Sequence, residues 1–201
     1  MPVRPHGGVP ATPGRVVQEC GAGLVPLLHE LGDAGASRLS FAASRVRRSG
    51  PLEAEYLRAV CEAFGIAPEL VVAHQWVDNG PGWAVLRLPS AADVLALEPD
   101  LSRIPDAMVG AIGAYPRGGE HAFEMRTFAP GVDVPEDPVC GSMNASVAQW
   151  LVASGEAGGR WRVSQGRRLG RAGTIVLTAG DDGTVWVGGA TTTCIRGAVI
   201  L

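Results

Sequence analysis

Residues 136–144 read Glu-Asp-Pro-Val-Cys-Gly-Ser-Met-Asn, which brings two carboxylates, a thiol, a hydroxyl and a glycine into one short stretch. Gly141 and Ser142 can offer backbone amides to an anion such as a carboxylate, with the Asp137 carboxylate and the Cys140 thiol beside them as candidate catalytic groups. Met143, Val147, Trp150 and Leu151 then recur at i, i+4, i+7 and i+8, which predicts a helix over 142–154 with one buried face, stopped by Gly155. The polar cluster therefore sits at a helix N-terminus, where unpaired N–H groups and the positive end of the dipole face outward. The plainer reading of the same residues is that Asp137 or Ser142 only caps the helix, worth ~1 kcal/mol.

Other side chains join this set with less force. Asn144 lies in the predicted first turn and joins Gly141, Ser142 and Arg126 as candidate substrate contacts. Arg126 can steer an anionic substrate, pair with Glu136 or Asp137, or do both. Cys140 at a helix start is expected to have its thiolate stabilised and its pKa lowered, fit for a base or nucleophile; packing as a small hydrophobe is the alternative. Cysteines 20, 61, 140 and 194 show no CxxC spacing, and His29, His74 and His121 fall on strands without ligand spacing, so no metal is expected. The glycines at 166–170 and 188–189 lack a phosphate-loop context, and no cofactor is expected.

The elements that must position these groups follow from pattern. A chain of 201 residues, 46% hydrophobic, can bury a real core. A net charge of −3, with arginines scattered apart from Arg45, Arg47 and Arg48, gives no footprint for nucleic acid, and that triplet reads as a solvated linker. No apolar run approaches the ~20 residues a membrane span needs, and there is no signal segment, so a reduced, cytoplasmic protein is expected.

Residues 1–14, rich in proline and glycine, read as a flexible lead-in. Strands are predicted over 15–20, 24–30 and 38–43, with turns at 21–23 and 32–35; this meander has exposed edges, which favour a homodimer. After a charged junction at 45–50, Pro51 opens a helix ended by Gly65, and strands 70–77 and 83–88 flank the turn at 78–82. A short helix from Ser90 to Leu97 precedes strands 107–115 and 121–128. Beyond the helix at 142–154 come strands 161–165, 174–178, 184–187 and 191–201. The domain division expected is 15–45 and 46–201. The tryptophans at 76, 83, 161 and 186 read as core residues. The class is α+β, and the small residues Ala145 and Ala148 suit a strongly curved, mostly antiparallel sheet wrapped around the helix.

Glu136-Asp137-Pro138-Val139-Cys140-Gly141-Ser142 resembles the Glu-Asp-Pro-(Val/Ala)-Thr-Gly-Ser signature of the phenazine-biosynthesis PhzF-like isomerases, which share the diaminopimelate epimerase fold. Gln18 to Val25, Asn79-Gly80-Pro81-Gly82-Trp83, Arg126 to Pro130, Ser164-Gln165-Gly166 to Gly170-Arg171 and Val187-Gly188-Gly189 fall in the order that family uses, so the likeness runs from about Arg15 to the end. It implies a cofactor-free isomerase that moves a proton on a small carboxylate-bearing metabolite, with Asp137 and Ser142 holding substrate at a cleft between two helix-centred halves. The family's Ser-Glu-Thr and Gly-His-Pro segments, which bring its catalytic glutamate and a histidine, have no counterpart in Met1–Gly14. The chain is therefore expected to comprise an intact second domain and a partial first one, possessing a half-site. A non-catalytic, ligand-binding or self-associating homologue is the second reading. A cysteine-dependent epimerase or racemase using Cys140 is the third, since those related enzymes place a catalytic Cys before Gly-Ser or Gly-Thr.

Overall fold

A computed structural model describes residues 10–31, 37–192, 194, 195 and 197. Strands alternate with few helices: β1 (Arg15–Cys20), β2 (Gly23–Leu31), β3 (Ser37–Ala42), β4 (Arg48–Gly50), α1 (Ala54–Phe64), β5 (Ala73–Asp78), β6 (Ala84–Leu88), α2 (Ala91–Ala96), β7 (Val109–Ala114), β8 (Phe123–Ala129), β9 (Val134–Asp137), α3 (Gly141–Ala153), β10 (Arg160–Gln165), β11 (Gly173–Ala179) and β12 (Val185–Ala190). They form one sheet in the order β1-β2-β3-β12-β11-β10-β8-β7-β6-β5-β4, with β9 added beside β8. Only β6–β7 and β8–β10 pair in parallel among the described residues; the rest is antiparallel, the α+β arrangement expected.

The sheet curls because α3 sits inside it. α3 packs against both β5 and β12, the two ends of the run β12-β11-β10-β8-β7-β6-β5. Each strand of that run points a residue at the helix: Val187, Leu177, Val163, Met125, Ile112, Val85 and Val77 share one core with Met143, Val147 and Leu151. A strand has period two, so the alternate residues Leu86, Leu88, Val109, Ala111 and Phe128 face a second core under α1 and α2. β6 is buried on both faces as a result, and its sequence AVLRL carries a near-continuous apolar run.

α3 departs from the one-faced helix its periodicity predicts. Asn144, Ala145, Ser146 and Ala148 are buried as well as Met143, Val147 and Leu151, so the first half of the helix is enclosed nearly all round. Small side chains permit that enclosure, and the polar ones turn back on the helix: Ser146 Oγ donates to the Ser142 carbonyl at 3.1 Å.

Two short strands lie where the pattern gave a linker and a loop. Arg48–Gly50 pairs with β5, and Val134–Asp137 pairs with β8 through an irregular register. The meander β1–β3 continues into the main sheet through β3–β12, from Ala42 opposite Trp186 to Arg38 opposite Ala190. The flexible lead-in expected over 1–14 and the turn at 32–35 fall mostly outside the described residues. Of the strand expected over 191–201, residues 191, 192, 194, 195 and 197 are in no strand, and the others lie outside the described residues.

Candidate active site at the start of the central helix

The segment 136–144 lies where β9 turns into α3, and Cys140 occupies the N-cap position with extended backbone. Gly141 is needed there for space: a Cβ on it would stand 3.2 Å from the Phe41 ring of β3. No side chain caps the helix, so neither Asp137 nor Ser142 plays the plain capping part. The amides of Gly141 and Ser142 have no hydrogen-bond partner among the described residues.

Ser142 is fixed at both its hydroxyl and its carbonyl. Trp83 Nε1 donates to its Oγ at 2.9 Å, and Asn79 Nδ2 donates to its carbonyl at 2.9 Å. The Ser142 hydroxyl thus spends a lone pair on Trp83, and its own proton can go to the Cys140 sulfur at 3.7 Å or to a ligand. Asn79 is delivered by the β5–β6 turn, in which Asp78 Oδ1 accepts from Gly80 N at 2.7 Å and Gly82 N at 2.6 Å. Gly80 and Gly82 have φ of 146° and 90°, values that L side chains rarely adopt.

Gln165 on β10 holds the segment from behind. It is fully buried; its Oε1 accepts from Cys140 N at 3.2 Å and Asn144 Nδ2 at 2.8 Å, and its Nε2 donates to the Asp137 carbonyl at 2.8 Å and Thr127 Oγ1 at 3.2 Å. Four partners, three in the segment 137–144 and one on β8, make one amide the hub of this corner. Gln165 and Asn79 fall in family-like stretches of the sequence with no role expected of them, and Trp83, expected as a core residue, is buried and also donates to Ser142.

These contacts surround a cavity of about 490 Å³, bounded by Ser142 and Ala145 of α3, Asn79 of the β5–β6 turn, Phe41 of β3, Ala22 of the β1–β2 turn and Arg47. The β1–β3 meander therefore supplies a wall opposite the helix. A larger concavity of about 940 Å³ lies away from this segment, by Tyr115 and Trp161. Its Arg87 and Arg162 are paired with Glu156 and Glu120, whereas its Arg117 and Arg160 form no ion pair among the described residues; the α3 cavity is the candidate site because the start of the helix borders it at Ser142.

The expected site residues divide. Asp137 and Cys140 lie together beside Ser142, with Cys140 Sγ 3.7 Å from Ser142 Oγ. Asp137 Oδ1 accepts from Val139 N at 2.9 Å, which closes the turn into the helix. Neither residue lines the cavity. Asn144 is fully buried and donates to the Cys140 carbonyl at 2.8 Å, a supporting position behind the wall. Arg126 points to the other face of β8: its Nε and Nη2 grip Glu136 at 2.9 and 2.8 Å, and its Nη1 reaches the Leu97 carbonyl at 2.6 Å. That guanidinium is committed to tying β9 and the end of α2 to β8, so of its two anticipated roles the structure displays the ion pair.

The thiol expectation is reversed. Burial pushes the Cys140 thiol up, and the nearby Asp137 carboxylate adds to the shift; hydrogen bonds from Met143 N–H and Ser142 oppose it without prevailing. Taking charge out of water here outweighs the helix terminus. Among the described residues no group of three or more His, Cys, Asp or Glu is placed to hold a metal.

A profile of the family described as phenazine biosynthesis-like protein (PhzC-PhzF) matches residues 6–197. This chain belongs to the phenazine biosynthesis-like family. Antisense-enhancing sequence 1 of Schizosaccharomyces pombe is 30% identical over 196 residues, covering 91% of this chain and 66% of that protein. The protein named uncharacterized isomerase YddE of Escherichia coli K12 is 31% identical over 141 residues, covering 64% of this chain and 48% of its own. The chain thus spans about two thirds of the first relative's length and about half of the second's. The crystal structure of the Bacillus anthracis phenazine biosynthesis protein, PhzF family, superposes with a TM-score of 0.69 at 14% identity, over 88% of this chain and 65% of that one, which is a likeness of fold.

Proposed function

We propose that this phenazine biosynthesis-like chain is an isomerase that moves a proton on a small carboxylate-bearing metabolite without a cofactor, and that the start of α3 holds the carboxylate. The observation that carries the reading is the pair of unpartnered amides at Gly141 and Ser142 beside a cavity. A carboxylate seated there would accept from both N–H groups and from the Ser142 hydroxyl, with the helix dipole favouring its charge. Relatives that bear the name isomerase support the reaction class.

Asp137 is our choice for the group that orients the substrate and handles its proton. One of its oxygens accepts from Val139 N, and the carboxylate stands within hydrogen-bond reach of the Cys140 thiol. The cysteine-dependent alternative has less support, because a thiol held up in pKa supplies little thiolate near neutrality. We place the protein in the cytoplasm as a homodimer.

One observation favours a second reading, a ligand-binding homologue without turnover: among the described residues no carboxylate or imidazole lines the cavity. Incubating the protein in D₂O with a panel of small carboxylic acids that carry an acidic C–H, and reading exchange by proton NMR, separates the two. The isomerase reading expects exchange into at least one acid, cut by about 10²-fold or more in Asp137→Asn. Binding with no exchange would establish the second reading.

A further inference from the structure

Arg45 and Arg47 lie in the connection from β3 to β4 and Arg48 opens β4, and the fold treats the last two differently. Arg48 donates to Glu53 at 2.8 Å and lies 3.6 Å over the Trp76 ring. Arg47 donates its backbone N–H to the Asp78 carbonyl at 2.7 Å, which fixes it to the β5–β6 turn. Its guanidinium lies along Gly80, where a Cβ would come within 3.9 Å of Cζ, and it has no hydrogen bond or ion pair among the described residues. Asp78 turns its Oδ1 to the amides of Gly80 and Gly82, and it makes no ion pair with Arg47.

Arg47 is also the one charged side chain among the described residues that lines the α3 cavity. Of the neutral polar side chains there, Ser44, Asn79 and Ser142, the last two are held in place by each other and by Trp83. An unpaired guanidinium on the wall of a cavity that contains no acid has its counter-ion still to come from solution. We propose that Arg47 anchors the carboxylate of the ligand from the side opposite α3 and sets the preference of this site for acids over neutral isosteres. This rests on the reading that the cavity binds a carboxylate, and it adds the residue that recognises the charge. The planar fork of an arginine matches both oxygens of a carboxylate, whereas a lysine would offer a point charge only. Because Arg47 is exposed, its contribution falls as salt rises.

Calorimetric titration with benzoate and with benzamide, at low and at physiological ionic strength, tests the proposal. The wild-type protein is expected to bind benzoate and not benzamide. Arg47→Gln should weaken benzoate by about tenfold at low salt, Arg47→Lys by less, and Arg48→Gln should leave it unchanged. Near-UV circular dichroism of each variant shows that the fold is retained. Failure of wild type to bind benzoate, or Arg47→Gln binding within about twofold of wild type, overturns the role of Arg47. In the latter case the amide site at α3 stands without it. Arg47-dependent binding with no deuterium exchange in any acid would instead leave this inference standing and remove the isomerase reading.

Discussion

Gln165 shows what a single side chain does for this site. Replacing it with Ala leaves the Cys140 amide, the Asn144 amide, the Asp137 carbonyl and the Thr127 hydroxyl short of a partner in a dry corner. Unsatisfied buried groups cost ~1–3 kcal/mol each, with some relief by rearrangement, so Gln165→Ala should lose about 3 kcal/mol in urea unfolding. Nothing in local sequence reveals this hub, because its partners lie 21 to 38 residues away. Gly141 and Ser142, by contrast, were legible because a helix start concentrates its unpaired amides in consecutive residues. For Cys140 the small-hydrophobe alternative agrees with its burial, whereas the lowered thiol pKa does not, because the helix terminus is visible in sequence and burial is not. The consequence has a definite sign. Burial raises both Cys140 and Cys61 in the folded protein, so below the ~8.5 of an unfolded thiol both states keep the proton and the stabilisation is complete. Above that value the unfolded chain ionises first, and stability falls as pH rises through the folded thiol values. Urea midpoints measured from pH 7 to 10 should therefore decline less in Cys140→Ala than in wild type. Iodoacetamide at pH 8 should label exposed Cys20 and Cys194 well before Cys140.

At the scale of elements, the strands were readable because alternation and turn residues are local, and β1 falls at its expected bounds. β4 and β9 were missed for different reasons. One is three residues long with an arginine in it, and the other contains Pro135 and has an exposed first half, so neither carries an apolar pattern of its own. Their pairing is imposed by β5 and by the Arg126–Glu136 bond. That ion pair is largely buried, at 5% and 10% side-chain exposure, and breaking it leaves a charge without its counter-ion. Arg126→Ala should cost roughly 3–5 kcal/mol in unfolding measurements while leaving benzoate affinity close to wild type. The packing of α2 on the sheet yields a sharper test. A Cβ at Gly113 would stand 2.1 Å from the Ser90 carbonyl oxygen, so Gly113→Ala must push the helix start off β7 and should destabilise by about 1–3 kcal/mol or more.

For the molecule as a whole, the central-helix architecture was foreseeable from a helix of small and apolar residues among many strands. What was not foreseeable is that β3 would run on into β12, since long-range pairing leaves no trace in either strand alone. That continuity places Phe41 and the β1–β2 turn over the start of α3 and so closes the pocket. β1 is left with both faces open, Val16 and Val17 being 49% and 52% exposed on opposite sides. We take this edge as the contact of the proposed homodimer. Sedimentation velocity should give a dimer for wild type and a monomer for Val17→Lys.

The site itself is tested most directly by amide NMR during a benzoate titration. Saturable shifts centred on the Gly141 and Ser142 N–H groups and the Asn79 side-chain amide are expected, with benzamide producing none. If those three signals stay put while benzoate is bound, or if neither compound moves any signal, the start of α3 is a structural helix end and not a carboxylate site.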